Sequence, residues 1–169
     1  NYITENNKDL NVLYTTSDDF RKDYTGIVSN SNSMDYANDF KDKYRNVDVL
    51  IIDDIQYIVS APKTQEEFFH TFNYLHSNKK QIIISSDRSP EDLKLLEERL
   101  RSRFAWGLPV DIYPPDFELR CRIVKEKISK LSIASKITED AIEFIAQNCD
   151  TDVRSLEGGI TRLAAYTSI

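Results

Sequence analysis

The residues whose types and spacing could do chemistry are Val49-Leu50-Ile51-Ile52-Asp53-Asp54-Ile55-Gln56, where four apolar residues run straight into two adjacent carboxylates. An uninterrupted apolar run of this length suits a strand buried on both faces, as in a parallel sheet. Ending it on Asp53-Asp54 places two acids at the carboxyl edge of that sheet, where open α/β folds bind their ligands. In phosphate-handling folds the first such acid associates with Mg²⁺ through water, and the second orients an attacking water. This is the Walker B pattern, and it predicts a site for a nucleoside triphosphate. The same residues also read as a buried strand ending in a solvated Asp-Asp turn, and the segment alone leaves both readings open.

Other reactive types are scattered. Arg99, Arg101 and Arg103 form one short basic block, which by itself reads as a solvated charged face. Asp87, in Ser85-Ser86-Asp87-Arg88, would by itself pass for a surface turn acid. Arg154 falls near an expected helix start, an unusual place for a cation because the macrodipole favours positive charge at the C-terminus. His70 lies on a Phe-rich helix with no second His or Cys at ligand spacing, so it reads as structural. Cys121 and Cys149 have no metal-ligand spacing and are expected to be reduced thiols in a cytosolic protein. No Gly-x-Ser-x-Gly and no zinc spacing occurs. Tyr and Phe read as core and interface residues rather than an RNA-stacking platform.

The elements that must position the two acids follow from pattern. Asn11 to Thr16, Val47 to Asp53, Gln81 to Ser86 and Leu108 to Ile112 read as strands. Thr64-Gln65-Glu66-Glu67 reads as a capping box opening a helix, with Phe68, Phe69, Phe72 and Leu75 as its apolar stripe. Ser89-Pro90 reads as the cap and first residue of another, with Leu93, Leu96 and Leu100 on one face. Strands separated by helices imply βαβ crossovers and a parallel sheet. Beyond Pro114-Pro115 the strand pattern stops. Asp116, Thr138, and Thr151 or Asp152 can each cap a helix, so residues 114–169 are expected to form a small helical subdomain after an α/β core over 1–113. Gly158-Gly159 inside the last helix should cost about 1 kcal/mol per Gly relative to Ala. Close packing against a neighbour would account for one of them. Ser29 to Ser33 reads as a polar loop.

The chain has 169 residues, with 28 acids against 22 bases for a net charge of −6. That balance argues against wholesale nucleic-acid binding by this segment, which needs a basic face, and leaves room for local contacts or for contacts made by other parts of a longer protein. No apolar run approaches the roughly 20 residues that span a bilayer. Beginning at Asn1 without Met, the sequence reads as a piece of a longer protein.

Five blocks then carry a resemblance: Tyr44 to Gln56, Thr64 to Asn73, Ser86-Asp87-Arg88, Arg99 to Phe104, and Val153-Arg154-Ser155-Leu156-Glu157-Gly158. In this order and spacing they resemble the ATPase domain of the bacterial chromosomal replication initiators, the DnaA family of AAA+ proteins, over nearly the whole chain. The resemblance implies an AAA+ parallel sheet with flanking helices and a C-terminal helical lid, cofactors ATP/ADP and Mg²⁺, and weak ATPase activity used as a switch. Asp53 is then the Mg²⁺-associated carboxylate and Asp54 the residue that aligns water. Most AAA+ ATPases carry the longer Glu there, so Asp54 implies slow hydrolysis. Asp87 matches sensor I and Arg154 sensor II. Arg103 matches the arginine finger that enters the neighbouring subunit's site, with Arg99 assisting at that interface.

Residues 20–44 correspond to the initiator-specific helical insertion. The family's single-stranded DNA contacts map to Ile27 or Val28 and to Lys63. The resemblance further implies an ATP-dependent helical homo-oligomer that opens the origin, duplex DNA bound through a further domain, a replicative helicase, regulators and acidic phospholipids as partners, and a cytoplasmic location. Two family parts lie outside these residues: the Gly-rich phosphate loop, expected just before the segment matching Asn1-Tyr2-Ile3, and the helix-turn-helix domain. This stretch alone is therefore expected to bind ATP poorly and to be inactive. The alternatives are a helicase loader or initiator regulator, which lacks much of the insertion, and a metabolic P-loop enzyme, which would need acid–base residues that are not found.

Overall fold

A computed structural model describes residues 5–29, 33–131 and 137–167, the side chains of 27–29 and 33–36 excepted. The chain forms two compact units, Asn1–Pro109 and Val110–Ile169.

The first unit is built on a parallel sheet of β1 (Val12–Thr16), β2 (Val49–Asp53) and β3 (Gln81–Ile84), in that spatial order. The register sets Tyr14 beside Ile51, Thr16 beside Asp53, and Ile52 beside Ile84. Parallel pairing demands crossovers. Helices α1 (Ser17–Ser29) and α2 (Ser33–Arg45) connect β1 to β2, and α3 (Pro62–Ser77) connects β2 to β3. A short 3-10 turn, Ile55–Ile58, precedes α3, and α4 (Glu98–Ala105) follows β3.

Alternation along the strands decides what is covered. Leu50 and Ile52 are fully buried on one face beneath Phe20, Phe40, Tyr44 and Phe68 of the helices. On the other face Tyr14 is 60% exposed and Ile83 40%. The apolar run of β2 predicts cover on both faces; among the described residues one face is covered and the other is open. Phe20 anchors α1 and α2 to this core, with ring centroids 4.8 Å from Tyr44, 5.2 Å from Phe40 and 5.5 Å from Phe68. The Tyr44 hydroxyl donates to Asp23 at 2.7 Å. Burial, and then that carboxylate, push its pKa above the ordinary tyrosine value.

Three local expectations fail for identifiable reasons. Helix α3 starts at Pro62, with Ala61 at its cap, rather than at Thr64, which is buried inside the first turn. Pro suits a first helical position, and Glu67, the other half of the expected capping box, is paired with Arg45 at 2.9 Å. Ser89-Pro90 opens a series of turns rather than a helix, and α4 begins only at Glu98. Leu93, Leu96 and Leu100 are nevertheless all buried. Leu108 to Ile112 forms no strand: Leu108, Val110 and Ile112 are 89%, 73% and 95% exposed. Their alternation has no neighbouring strand to pair with among the described residues.

The second unit comprises α5 (Phe117–Ser129), α6 (Glu139–Asn148) and α7 (Val153–Thr167). Their apolar faces meet in Val124, Ile128, Ile142, Ile145, Leu156 and Ile160. The expected caps are present. Asp116 accepts from Leu119 N at 2.8 Å, Thr138 from Ala141 N at 3.4 Å, and Asp152 from Ser155 N at 2.6 Å.

The two glycines of α7 separate cleanly. A Cβ on Gly159 would lie 3.1 Å from both Cys149 Sγ and Ile145 Cγ2, whereas one on Gly158 would meet nothing within 4 Å. Gly158→Ala is expected to stabilise the unit by about 1 kcal/mol, and Gly159→Ala to give no gain or a loss. Urea midpoints of the two variants check this, and equal responses refute it. Nothing in the structure explains why Gly158 is glycine.

Candidate functional site

The carboxyl edge of β2 carries a network of hydroxyls around the two acids. Asp53 lies on the open face of the sheet, two residues after Ile51. Tyr14, paired with Ile51 in register, reaches Asp53 diagonally and donates its hydroxyl to Oδ2 at 2.7 Å. Ser85, one residue past the Ile52–Ile84 pair, donates to Oδ1 of the same carboxylate. Both carboxylate oxygens are thereby oriented by hydroxyl donors from the two neighbouring strands. The Asp53 carboxylate in turn holds the Tyr14 pKa above its ordinary value, mainly through that hydrogen bond.

Asp54 has φ 57° and ψ 52°, in the left-handed region. An L-residue other than Asn or Asp pays most for this conformation. Three contacts hold the turn. Ser17 Oγ donates to the Asp54 carbonyl at 2.5 Å, the Asp54 amide donates to Ser85 Oγ at 3.0 Å, and Gln56 Nε2 donates to Asp54 Oδ1 at 3.0 Å. Ser85 therefore touches both acids.

Asp87 is exposed two residues further along, 3.7 Å from Arg88 Nε. It lines, with Gln56, Tyr57 and Arg88, an open cleft of about 660 Å³. Asp53 and Asp54 thus lie at the carboxyl end of β2, and Asp87 follows the end of β3 by three residues. Tyr14, Ser17, Gln56 and Ser85 were not legible as site residues, because they reach the acids through strand register and a local turn; the register, once known, points to Tyr14 and Ser85.

The donor set suits a hard cation. Asp53 offers carboxylate oxygens at an accessible strand end, with the Asp54 carboxylate beside it. That combination fits Mg²⁺, which keeps several waters and takes one or two carboxylates together with phosphate oxygens.

The remaining candidates lie elsewhere. On α4, Arg99 Nε is 2.5 Å from Glu97 and its guanidinium stands 4.5 Å over the Phe69 ring. Arg101 pairs with Glu98. Arg103 has no carboxylate partner among the described residues and stacks over Trp106, 4.8 Å from the ring centroid. Lys63 is exposed in the first turn of α3. Ile27 and Val28 fall in the last turn of α1 and their side chains lie outside the described residues, as does most of the expected polar loop after Ser29. Arg154 is exposed in the first turn of α7, in the second unit. No described helix is long and apolar enough to cross a membrane.

A parallel sheet with helical crossovers, two acids at the carboxyl end of its middle strand and a hydroxyl residue on the next strand beneath them define the class of Walker B α/β domains. A family model of the bacterial DnaA ATPase domain matches residues 1–111, and the chain belongs to that family. It is 48% identical over 168 residues to the chromosomal replication initiator protein DnaA of Lachnoclostridium phytofermentans, covering 99% of this chain and 36% of that protein. The chain thus spans about a third of that curated relative's length. Domain III of the Thermotoga maritima replication initiation protein DnaA superposes with a TM-score of 0.86 at 39% identity, over 99% of this chain and 68% of that one. A replication initiator DnaA bound to AMPPCP and single-stranded DNA superposes with a TM-score of 0.79 at 33% identity, over 95% of this chain and 48% of that one.

Proposed function

We propose that this chain is the ATP-responsive assembly domain of a chromosomal replication initiator. The observation that carries the reading is the Asp53–Asp54 edge, oriented by Tyr14 and Ser85, together with an arginine, Arg103, left without a carboxylate partner among the described residues.

On this reading ATP occupies the carboxyl edge of the sheet. Asp53 would hold Mg²⁺ through water, and the ion when bound neutralises charge on the phosphate oxygens. Tyr14 and Ser85 keep the Asp53 carboxylate in one orientation, and Asp54 accepts a hydrogen bond from the water that attacks the γ-phosphate. Asp87 senses the triphosphate from the next strand. Arg154, on the second unit acting as a lid, is the sensor II residue that reads the phosphates. The shorter reach of Asp54 keeps hydrolysis slow, which suits a timed switch.

Arg103 engages the nucleotide of a neighbouring protomer, with Arg99 at the same interface. Protomers therefore stack when ATP is bound and separate with ADP, because a ligand shifts an assembly only by its differential affinity for the two states. The stacked helical oligomer contacts single-stranded DNA through Lys63 and the end of α1 near Ile27 and Val28. An apolar contact with one cation suits strand-tracking rather than sequence readout. Duplex origin DNA is bound by a further domain of the intact protein. The replicative helicase, regulators and acidic phospholipids are its other partners, in the cytoplasm.

Sedimentation of the intact protein with ATP and with ADP tests the reading. Wild type is expected to assemble only with ATP, and Arg103→Ala to stay small while still binding ATP. If both assemble alike, Arg103 is ordinary surface charge and a loader or regulator role replaces this one.

A further inference from the structure

Helix α4 holds three arginines, and its neighbours treat them differently. Arg99 and Arg101 are tied to Glu97 and Glu98. Arg99 also stands over the Phe69 ring at 4.5 Å, but Arg103 has a ring and, among the described residues, no carboxylate: its guanidinium carbon lies 4.8 Å from the Trp106 centroid. Trp106 sits at the C-cap of α4, where its amide donates to the Arg103 carbonyl at 3.3 Å, so the two side chains leave the helix one turn apart on the same side. Trp106 is 71% exposed and contributes nothing to the buried core. A large aromatic kept in water, against a single cation, calls for a role outside folding.

The geometry points to Trp106 as the positioning residue that presents Arg103 to the neighbouring protomer's phosphates. The five N–H donors of a guanidinium lie in its plane. A ring beneath the guanidinium face restrains the side chain and leaves those in-plane donors free for phosphate oxygens. A carboxylate partner, as at Arg99 and Arg101, would occupy the donors and would have to be displaced. Restricting Arg103 before contact also lowers the ordering cost of assembly. The inference rests on the assembly role proposed for Arg103.

Trp106 is the one tryptophan of the 169 residues, so its emission reports on the arginine above it. The test uses the intact protein, with Trp106→Leu, Trp106→Tyr, Arg103→Ala and the Arg103→Ala/Trp106→Leu double variant, by sedimentation with ATP and by thermal melting. Trp106→Leu is expected to raise the protein concentration needed for half-assembly about 3- to 5-fold, the size of one exposed cation–π contact. Trp106→Tyr, which keeps a ring face, recovers most of that loss. All variants melt as wild type, and the double variant, like Arg103→Ala, stays small with ATP. The wild-type emission minus that of Trp106→Tyr changes on assembly with ATP and not with ADP.

If Arg103→Ala abolishes assembly while Trp106→Leu assembles as wild type, the positioning role is wrong and the assembly reading stands. A Trp106→Tyr protein as impaired as Trp106→Leu also overturns the positioning role. If Arg103→Ala assembles normally, the assembly reading itself fails and this inference goes with it.

Discussion

Gln65→Ala is expected to destabilise the first unit by about 3 kcal/mol, more than any surface change would. Gln65 is 1% exposed. Its Nε2 donates to the Val59 carbonyl at 2.7 Å and the Leu95 carbonyl at 3.2 Å, and its Oε1 accepts from the Glu97 amide at 2.8 Å. One side-chain amide thus ties α3 to the loop that precedes it and to the turn that launches α4. Each such bond is worth about 1 kcal/mol net, and backbone groups stranded by its loss cost more. Gln65→Met keeps most of the volume and loses the three bonds, so a similar loss in both variants assigns the effect to hydrogen bonding rather than to a cavity. Urea unfolding gives the magnitude, and faster hydrogen exchange at the Glu97 amide gives the location. A loss under about 1 kcal/mol in both variants would show that water replaces the amide without penalty. Because α4 carries Arg99 and Arg103, loosening its start should also weaken ATP-dependent assembly.

That bracket also explains where reading the sequence succeeded and where it stopped. Local rules found what local energetics decide. The apolar run into Asp53 became the middle strand, and Asp116, Thr138 and Asp152 became helix caps through bonds to residues three positions on. Ser89 to Glu97 reads as helix because its leucines have helical spacing, yet its Leu95 carbonyl and Glu97 amide are satisfied by Gln65, 30 and 32 residues away in the chain. The site divides the same way. Asp53 and Asp54 are visible because an apolar run ends on them at the carboxyl edge of a parallel sheet, whereas Asp87, a surface turn acid by itself, is marked only by the family resemblance. Tyr14 and Ser85 became visible only with the register. Among three similar arginines, nothing in the spacing marks Arg103 as the one with no carboxylate partner among the described residues; Glu97 and Glu98 take the other two in three dimensions. The roles of Arg154 and Lys63 rest on the family resemblance, since both are exposed residues with no feature of their own that sets them apart.

Asp54→Asn should lower ATP turnover by the intact protein about 10²-fold or more, the range for removing a group that handles the proton of an attacking water. The backbone makes this substitution informative. At φ 57° the position suits Asn as well as Asp, and an Asn oxygen can still accept from Gln56. Asp54→Asn therefore changes charge with little change in stability, and ATP-dependent assembly should persist, since the proposed function gives the bridging of protomers to Arg103 and not to Asp54. Asp54→Ala should show the same loss of turnover and, in addition, about 1 kcal/mol of destabilisation from forcing an alanine into the left-handed region. Asp54→Gly removes that strain and should melt at or above the wild-type temperature while remaining just as slow. Asp54→Glu sets reach against conformation: the longer arm should speed hydrolysis, while the left-handed backbone lowers the melting temperature. Single-turnover hydrolysis and thermal melting of the four variants separate these effects. If Asp54→Asn hydrolyses ATP at the wild-type rate, Asp54 does not position the water, and its left-handed turn serves only to aim Asp53 at the edge of the sheet. If Asp54→Gly melts well below wild type instead, the Gln56 hydrogen bond outweighs the strain, and the turn is held by that side chain rather than tolerated in spite of it.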